Sequence, residues 1–194
     1  GTLVFGIMLT WRSGRAALLR VVSGASPPLD GFLHSLFASA PPRVAGTAVF
    51  LTATPDTTPN ALLHSLKHYK VLHERNVFMT IMFCEQPYVP AAERVMCERL
   101  PHDCWRATAR YGFMEKPDVA LALALCAQGG LEVEPMEVTY FLSREKIVRS
   151  ARGGRLVGWR DRLFAAMARN AGDVTDFFNI PTNRVVELGT RVEL

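Results

Sequence analysis

Apolar positions fall in short blocks between polar turns, and the first block differs from the rest. Residues 3–9 are apolar or small without interruption, Thr10 and Trp11 follow, and Arg12 and Arg15 come directly after. An apolar run, an interfacial aromatic and a basic flank, in that order, mark a helix leaving a bilayer on its cytoplasmic side. A full crossing takes roughly 20 apolar residues, and barely half of that is present. A buried strand or core helix gives a short apolar run too. A signal peptide carries its charges ahead of the apolar core, whereas here they follow it. On the span reading, residues 1–11 are the end of a last transmembrane helix, cut within a longer polytopic chain. Residues 12–45 are then a basic juxtamembrane connector.

Within that connector, AALLRVV keeps a helical tendency, SGASPP breaks it, and LDGFLHSLF forms a short amphipathic helix. Leu29, Phe32, Leu33 and Leu36 share its apolar face, and Asp30 lies in its first turn. APPRVAG then stops the helix, so the folded part begins near Arg43 and the α/β domain occupies 46–194.

The later blocks alternate in period. Thr47–Thr52 is a nearly all-apolar strand suited to burial on both faces. Thr58 as N-cap and Pro59 at the first helical position open a helix over Asn60–Tyr69. Leu62, Leu63, Leu66 and Tyr69 are its buried side, and His64, Lys67 and His68 face solvent. Asn76–Phe83 is a second strand, so the three elements predict a parallel βαβ unit. Arg94–Arg99 and Trp105–Tyr111 read as a hairpin, with Trp105, Ala107, Ala109 and Tyr111 on one face. From Pro117 an enclosed helix runs to Gly129–Gly130, with Lys116 a poor residue ahead of it. Glu137–Leu142 and Arg184–Leu188 are further strands. Trp159–Asn170 is an amphipathic helix with Leu163, Phe164 and Met167 inward, its pattern running on through Val174 to Phe178. The fold class is α/β: a mixed β-sheet with flanking helices, beginning with a parallel βαβ unit.

Composition narrows the function. Apolar residues make up 49% and charged residues 21% of the 194 positions, enough for a packed core. The net charge of +4 is spread out or gathered near Arg144–Arg162, without a basic stripe interleaved with aromatics, so nucleic acid is not an expected partner. A mild basic excess suits a domain beneath an anionic leaflet. Cys84, Cys97, Cys104 and Cys126 match no zinc or haem spacing, and read as reduced core or strand residues.

Candidate chemistry is sparse. His64 and His68 stand at i and i+4 with His73 nearby, but HSLKH lacks the glutamate of a zincin site and Lys67 adds a cation, so no metal is expected. No GxSxG elbow, GxGxxG or Walker loop is present. Glu115 and Asp118 around Pro117 form an acid–base pair on paper. A hinge, with Asp118 favoured by the helix dipole, explains them more simply. Neither an enzyme nor a resident cofactor is expected.

Six segments, in order from Thr10 to Leu194, resemble one family, the KUP/HAK/KT potassium uptake transporters. TWRSGR is similar to its post-span element, and RVAGTAVFLT to RxPGTAVFLT with Ala45 in place of proline. ALLHSLKHYKVLHERNV resembles ALLHNLKHNKVLHExV, departing at Ser65 and Tyr69. ARYGFMEKPDV and MEVTYFLSRE match further elements, and DFFNIPTNRVVELGTRVEL resembles the family's closing segment, departing at Thr182 and Arg191. The resemblance implies the C-terminal cytoplasmic domain of a bacterial inner-membrane potassium transporter of the proton-coupled symport type. Potassium and protons would be handled in the transmembrane part. This domain would dimerise, regulate or scaffold. By analogy with potassium transporters controlled by cyclic di-AMP, a cyclic dinucleotide or adenine nucleotide is a candidate ligand. Thr52, Thr54, Asp56 and Thr57 after the first strand, with His64, Lys67 and His68, are then the candidate ligand or interface residues, because ligands favour the C-terminal ends of parallel strands. The rival reading is a stand-alone soluble nucleotide-binding α/β protein of the universal-stress type.

Overall fold

The computed structural model describes residues 1–148, 163–164, 166–167 and 174–193. The chain divides into two compact units. One comprises Gly1–Ser26, Arg144–Gly172 and Gly189–Leu194; the other comprises Pro27–Ser143 and Asp173–Leu188.

In the first unit, α1 (Thr2–Ala25) runs unbroken through the expected membrane end and into the expected connector. Thr10 and Ser13 hydroxyls donate to the carbonyls of Gly6 and Leu9, each at 2.8 Å, which lets polar side chains sit within the helix. Trp11 packs against Phe164 with ring centroids 5.5 Å apart. No helix among the described residues is long and apolar enough to cross a membrane. Of the helix expected at 159–170, Leu163, Phe164, Ala166 and Met167 are helical, with Phe164 buried; the remainder lies outside the described residues. So does most of the arginine-rich stretch.

The second unit holds the sheet core. Its elements in chain order are α2 (Leu29–Ala38), β1 (Arg43–Thr52), α3 (Asn60–Tyr69), β2 (Leu72–Cys84), β3 (Val95–Leu100), β4 (Cys104–Gly112), α4 (Val119–Leu125), β5 (Val138–Val148), α5 (Val174–Phe177) and β6 (Val185–Glu193). Strands β5 and β6 extend past this unit. The six-stranded sheet has the order β3-β4-β2-β1-β5-β6. Strands β4, β2, β1 and β5 run parallel, and β3 pairs antiparallel at the edge, so the sheet is mixed.

Alternation along the parallel strands divides the core into two layers. Val49, Val77, Met79, Trp105, Ala107, Ala109, Tyr111 and Tyr140 point toward α4, with Val119, Ala122 and Leu123 closing that side. Ala48, Phe50, Phe78, Cys104 and Phe141 point the other way, under Leu29 and Leu33 of α2 and Ala61 and Leu62 of α3. Phe50 stacks on Phe141 with centroids 4.8 Å apart. Helix α2, expected in a connector, is therefore part of the core, and the compact unit starts at Pro27, upstream of Arg43. Gly46 sits where the β1–β2 register shifts, at φ +98°; a Cβ there would lie 2.9 Å from the Glu137 carbonyl. Only glycine fits such a bulge without strain.

Several local expectations change. Thr58 does not cap α3: its amide and hydroxyl both donate to the Pro27 carbonyl, at 3.0 and 2.9 Å, and Pro59 takes the N-cap position. Tyr69 is 58% exposed, because the buried side of α3 is Ala61, Leu62 and Ser65. Helix α4 starts two residues beyond Pro117, and Asp118 is its N-cap, accepting from Leu121 N at 2.8 Å, so Lys116 is no defect. The β3–β4 hairpin turns through His102 and Asp103, both at positive φ, with Cys104 N donating to Pro101 O at 3.3 Å. That is the primed turn whose twist suits a hairpin, made without glycine.

Candidate functional site

The β1–α3 loop stands at the C-terminal end of the parallel strands, beside the point where the chain's course reverses across the sheet between β1 and β5. Thr52, Thr80 and Thr108 form one row across β1, β2 and β4. Thr80 is buried, and among the described residues neither its hydroxyl nor the buried Ser143 hydroxyl has a partner.

The loop itself is committed to internal contacts. The Thr52 hydroxyl donates to the Thr54 carbonyl at 3.0 Å, and the Thr54 and Thr57 hydroxyls bond to each other. Asp56 is exposed, but its carbonyl accepts from Leu29 N at 2.9 Å, and Thr57 bridges to Pro28. Arg106, rising from β4, donates through Nε to the Pro55 carbonyl at 3.2 Å, through Nη2 to Asp30 at 2.8 Å and through Nη1 to Glu98 at 2.9 Å. Burial works against its charge, but Glu98 and Asp30 more than compensate and raise its pKa. The loop thus straps α2 to the sheet.

Of the expected helix residues, His64 is half-buried one turn into α3, and its ring lies parallel to His68 with centroids 6.2 Å apart. Lys67 and His68 occupy the last turn of α3. At about 1.5 Å per residue, Lys67 is roughly 10 Å along the axis from the loop. The structure therefore gathers Thr52, Thr54, Asp56 and Thr57 and sets Lys67 and His68 at the far end of the helix. Among the described residues no group of three His, Cys, Asp or Glu side chains could hold a metal ion. Arg12 and Arg15 are exposed on α1, with Arg15 6.0 Å from the Trp11 ring centre.

Directly beside the strap lies a groove of about 630 Å³ between α2 and the β3–β4 hairpin, which the sequence reading missed. Leu33, Phe37 and Leu100 supply apolar wall; Asp30, Glu98 and Arg106 supply charge. Phe37 stacks on His102 at 4.1 Å, and Arg43 lies 5.1 Å over the Phe37 ring while donating to the Glu74 and His102 carbonyls. A largely apolar concavity with a few convergent polar groups is the usual form of a ligand pocket. Only the amphipathic pattern of α2 hinted at it; the hairpin wall is non-local.

Glu115 and Asp118 are fixed by structure. Glu115 accepts from Gly112 N at 2.7 Å and Val89 N at 3.1 Å and pairs with Arg94. Asp118 accepts from Leu121 N and from Asn179 Nδ2, and its backbone clasps the Tyr111 hydroxyl, which donates to its carbonyl at 2.7 Å. Both carboxylates are occupied as acceptors, as an end-of-strand brace requires.

Comparison with known proteins follows the same lines. Residues 45–194 match the K+ potassium transporter C-terminal domain family. The chain is 53% identical over 196 residues to a Cupriavidus necator protein named probable potassium transport system protein Kup 2, covering 100% of this chain and 31% of that relative. Proteins named probable potassium transport system protein Kup from Nitrosospira multiformis and Xanthomonas oryzae pv. oryzae are 49% and 51% identical, again over 100% of this chain and 30% and 31% of theirs. No solved structure matches. The chain spans about a third of the relatives' length, and by its match over 45–194 it belongs to the K+ potassium transporter C-terminal domain family.

Proposed function

We propose that this chain is the cytosolic C-terminal domain of a proton-coupled potassium importer of the bacterial inner membrane, and that it regulates or scaffolds transport without conducting ions. The observation that carries this reading is the full-length match of the chain to under a third of proteins named for potassium transport. A dehydrated potassium pathway needs rings of oxygen ligands. The sheet core of Pro27–Ser143 is filled by apolar side chains instead. The exposed apolar residues Val4, Phe5 and Met8 of α1, with Arg12 and Arg15 behind them, support α1 as the helix that joins this domain to the membrane part. Homodimerisation through the cytosolic domain belongs to the same reading. Regulation requires a ligand or partner with unequal affinity for two states of the transporter. The groove beside Arg106 is the concavity that suits one, and adenine nucleotides and cyclic dinucleotides are the first ligands to titrate.

The deciding experiment measures potassium or rubidium uptake by the full-length protein and by a version lacking residues 27–194, reconstituted in proteoliposomes. Residual transport with altered affinity or lost regulation is expected. Unchanged flux and unchanged regulation would overturn the proposal.

A further inference from the structure

The sheet face under α4 holds a pair of thiols that the potassium-transport reading does not use. Cys97 is on edge strand β3 and half-buried; Cys126 opens the short 3₁₀ turn Cys126–Gly129 and is buried. In the β3–β4 register Cys97 lies opposite Ala107, on the same side as Trp105 and Ala109, which turns it toward that 3₁₀ turn. The approach is close: a Cβ on Gly129 would lie 3.2 Å from the Cys97 Cβ, so the glycine lets the turn settle on the strand. The Cys126 S–H donates to the Ala122 carbonyl, 3.3 Å away. A cleft of about 50 Å³, lined by both cysteines with Ala91, Val95 and Gln128, opens beside them. On this measure one water needs about 10–15 Å³, so the cleft has room for hydrogen peroxide.

We infer that Cys97 and Cys126 form a reversible dithiol–disulfide site that reacts with hydrogen peroxide. Cys97 is the attacking sulfur, since it is the more accessible of the two and the Cys126 thiol beside it holds its pKa below that of an ordinary thiol. Its thiolate attacks one peroxide oxygen; the S–O bond forms, the O–O bond breaks, and hydroxide leaves and is protonated to water. The Cys126 sulfur then attacks the sulfenic sulfur. The S–S bond forms, the S–O bond breaks, and the departing hydroxide takes the Cys126 proton as a second water. Two thiols and one hydrogen peroxide thus give one disulfide and two waters, and a dithiol reductant reverses the change. Cys104 is no competitor, because burial pushes its pKa up to about 12.

The test treats the intact chain with hydrogen peroxide, removes the oxidant, blocks remaining thiols with iodoacetamide in denaturant, and maps peptides by mass spectrometry without reduction. Cys97 and Cys126 should disappear together from the alkylated pool and reappear as one linked species two hydrogens lighter, restored by dithiothreitol, while Cys84 and Cys104 stay alkylated. In Cys126→Ser, Cys97 should stop at the sulfenic acid and be trapped by dimedone. A Cys97 that stays alkylated, is dimedone-trapped in the unsubstituted protein, or links to Cys84 instead would overturn the inference. The mapping of the unsubstituted chain stands whether or not the variant folds.

Discussion

Glu115 is held by two amides and a guanidinium at once, and its side chain is only 12% exposed. The Gly112 amide, with help from Arg94 and the Val89 amide, keeps its pKa below the ordinary carboxylate value. A carboxylate with a depressed folded-state pKa contributes stability that is present above its unfolded pKa and lost as pH falls through the folded one. The brace at the end of β4 should therefore weaken below about pH 4.3, where unfolded Glu titrates. Glu115→Gln should melt at lower temperature than the unsubstituted chain at neutral pH, and the gap should close as pH falls below that value, read by thermal melts from pH 7 to 3. A constant gap would mean the charge is not what matters. None of this was legible from the chain around Glu115. Its partners Val89 and Arg94 belong to the segment leading into β3, brought alongside by the Gly112 backbone. A Cβ on Gly112 would meet the Pro87 carbonyl at 2.1 Å, so that approach needs glycine.

At the scale of elements, α2 and α3 show where pattern reading succeeds and where it stops. The spacing of Leu29, Phe32, Leu33 and Leu36 marks α2 and its apolar face, and the structure buries Leu29 and Leu33. What that face packs on is a tertiary fact, and a Pro- and Gly-rich flank was no guide to it. Prolines 27 and 28 do not detach the helix; the Pro27 carbonyl receives Thr58 twice and ties α2 to the β1–α3 loop. The same event moved Thr58 from capping residue to tether, so the local propensity lost to a longer-range bond. Arg106 completes the strap. Arg106→Ala should remove three charge-assisted hydrogen bonds and destabilise the chain by about 1–3 kcal/mol, allowing for the exposure of Asp30 and Glu98. It should also speed hydrogen exchange selectively in α2 and the 53–57 loop. Exchange raised evenly across the sheet would show instead that Arg106 serves the core as a whole.

For the whole molecule, the parallel βαβ unit followed from two apolar runs around one amphipathic helix, and the hairpin from its alternation. The strand order did not follow. Nothing local in Val138–Leu142 says that it returns to lie beside β1, on the side away from β2; that placement rests on Thr47–Phe50 meeting Val138–Phe141 in register. The candidate residues divide the same way. Those on the loop after β1 sit at the C-terminal end of the parallel strands, where topology favours a ligand, while Lys67 and His68 are carried off by the length of α3.

That return of β5 bears on synthesis. Until residues beyond 138 leave the ribosome, the outer edge of β1 has no neighbour, and its backbone donors at Thr47–Phe50 stay open to any passing strand. In ribosome-stalled chains, one with residues emerged only to 133 should be cut faster within β1 than one with β5 emerged through 148, as pulse proteolysis would read; equal cutting would show that β5 does not protect β1. The sheet is thus open to misassembly until its fifth strand has emerged.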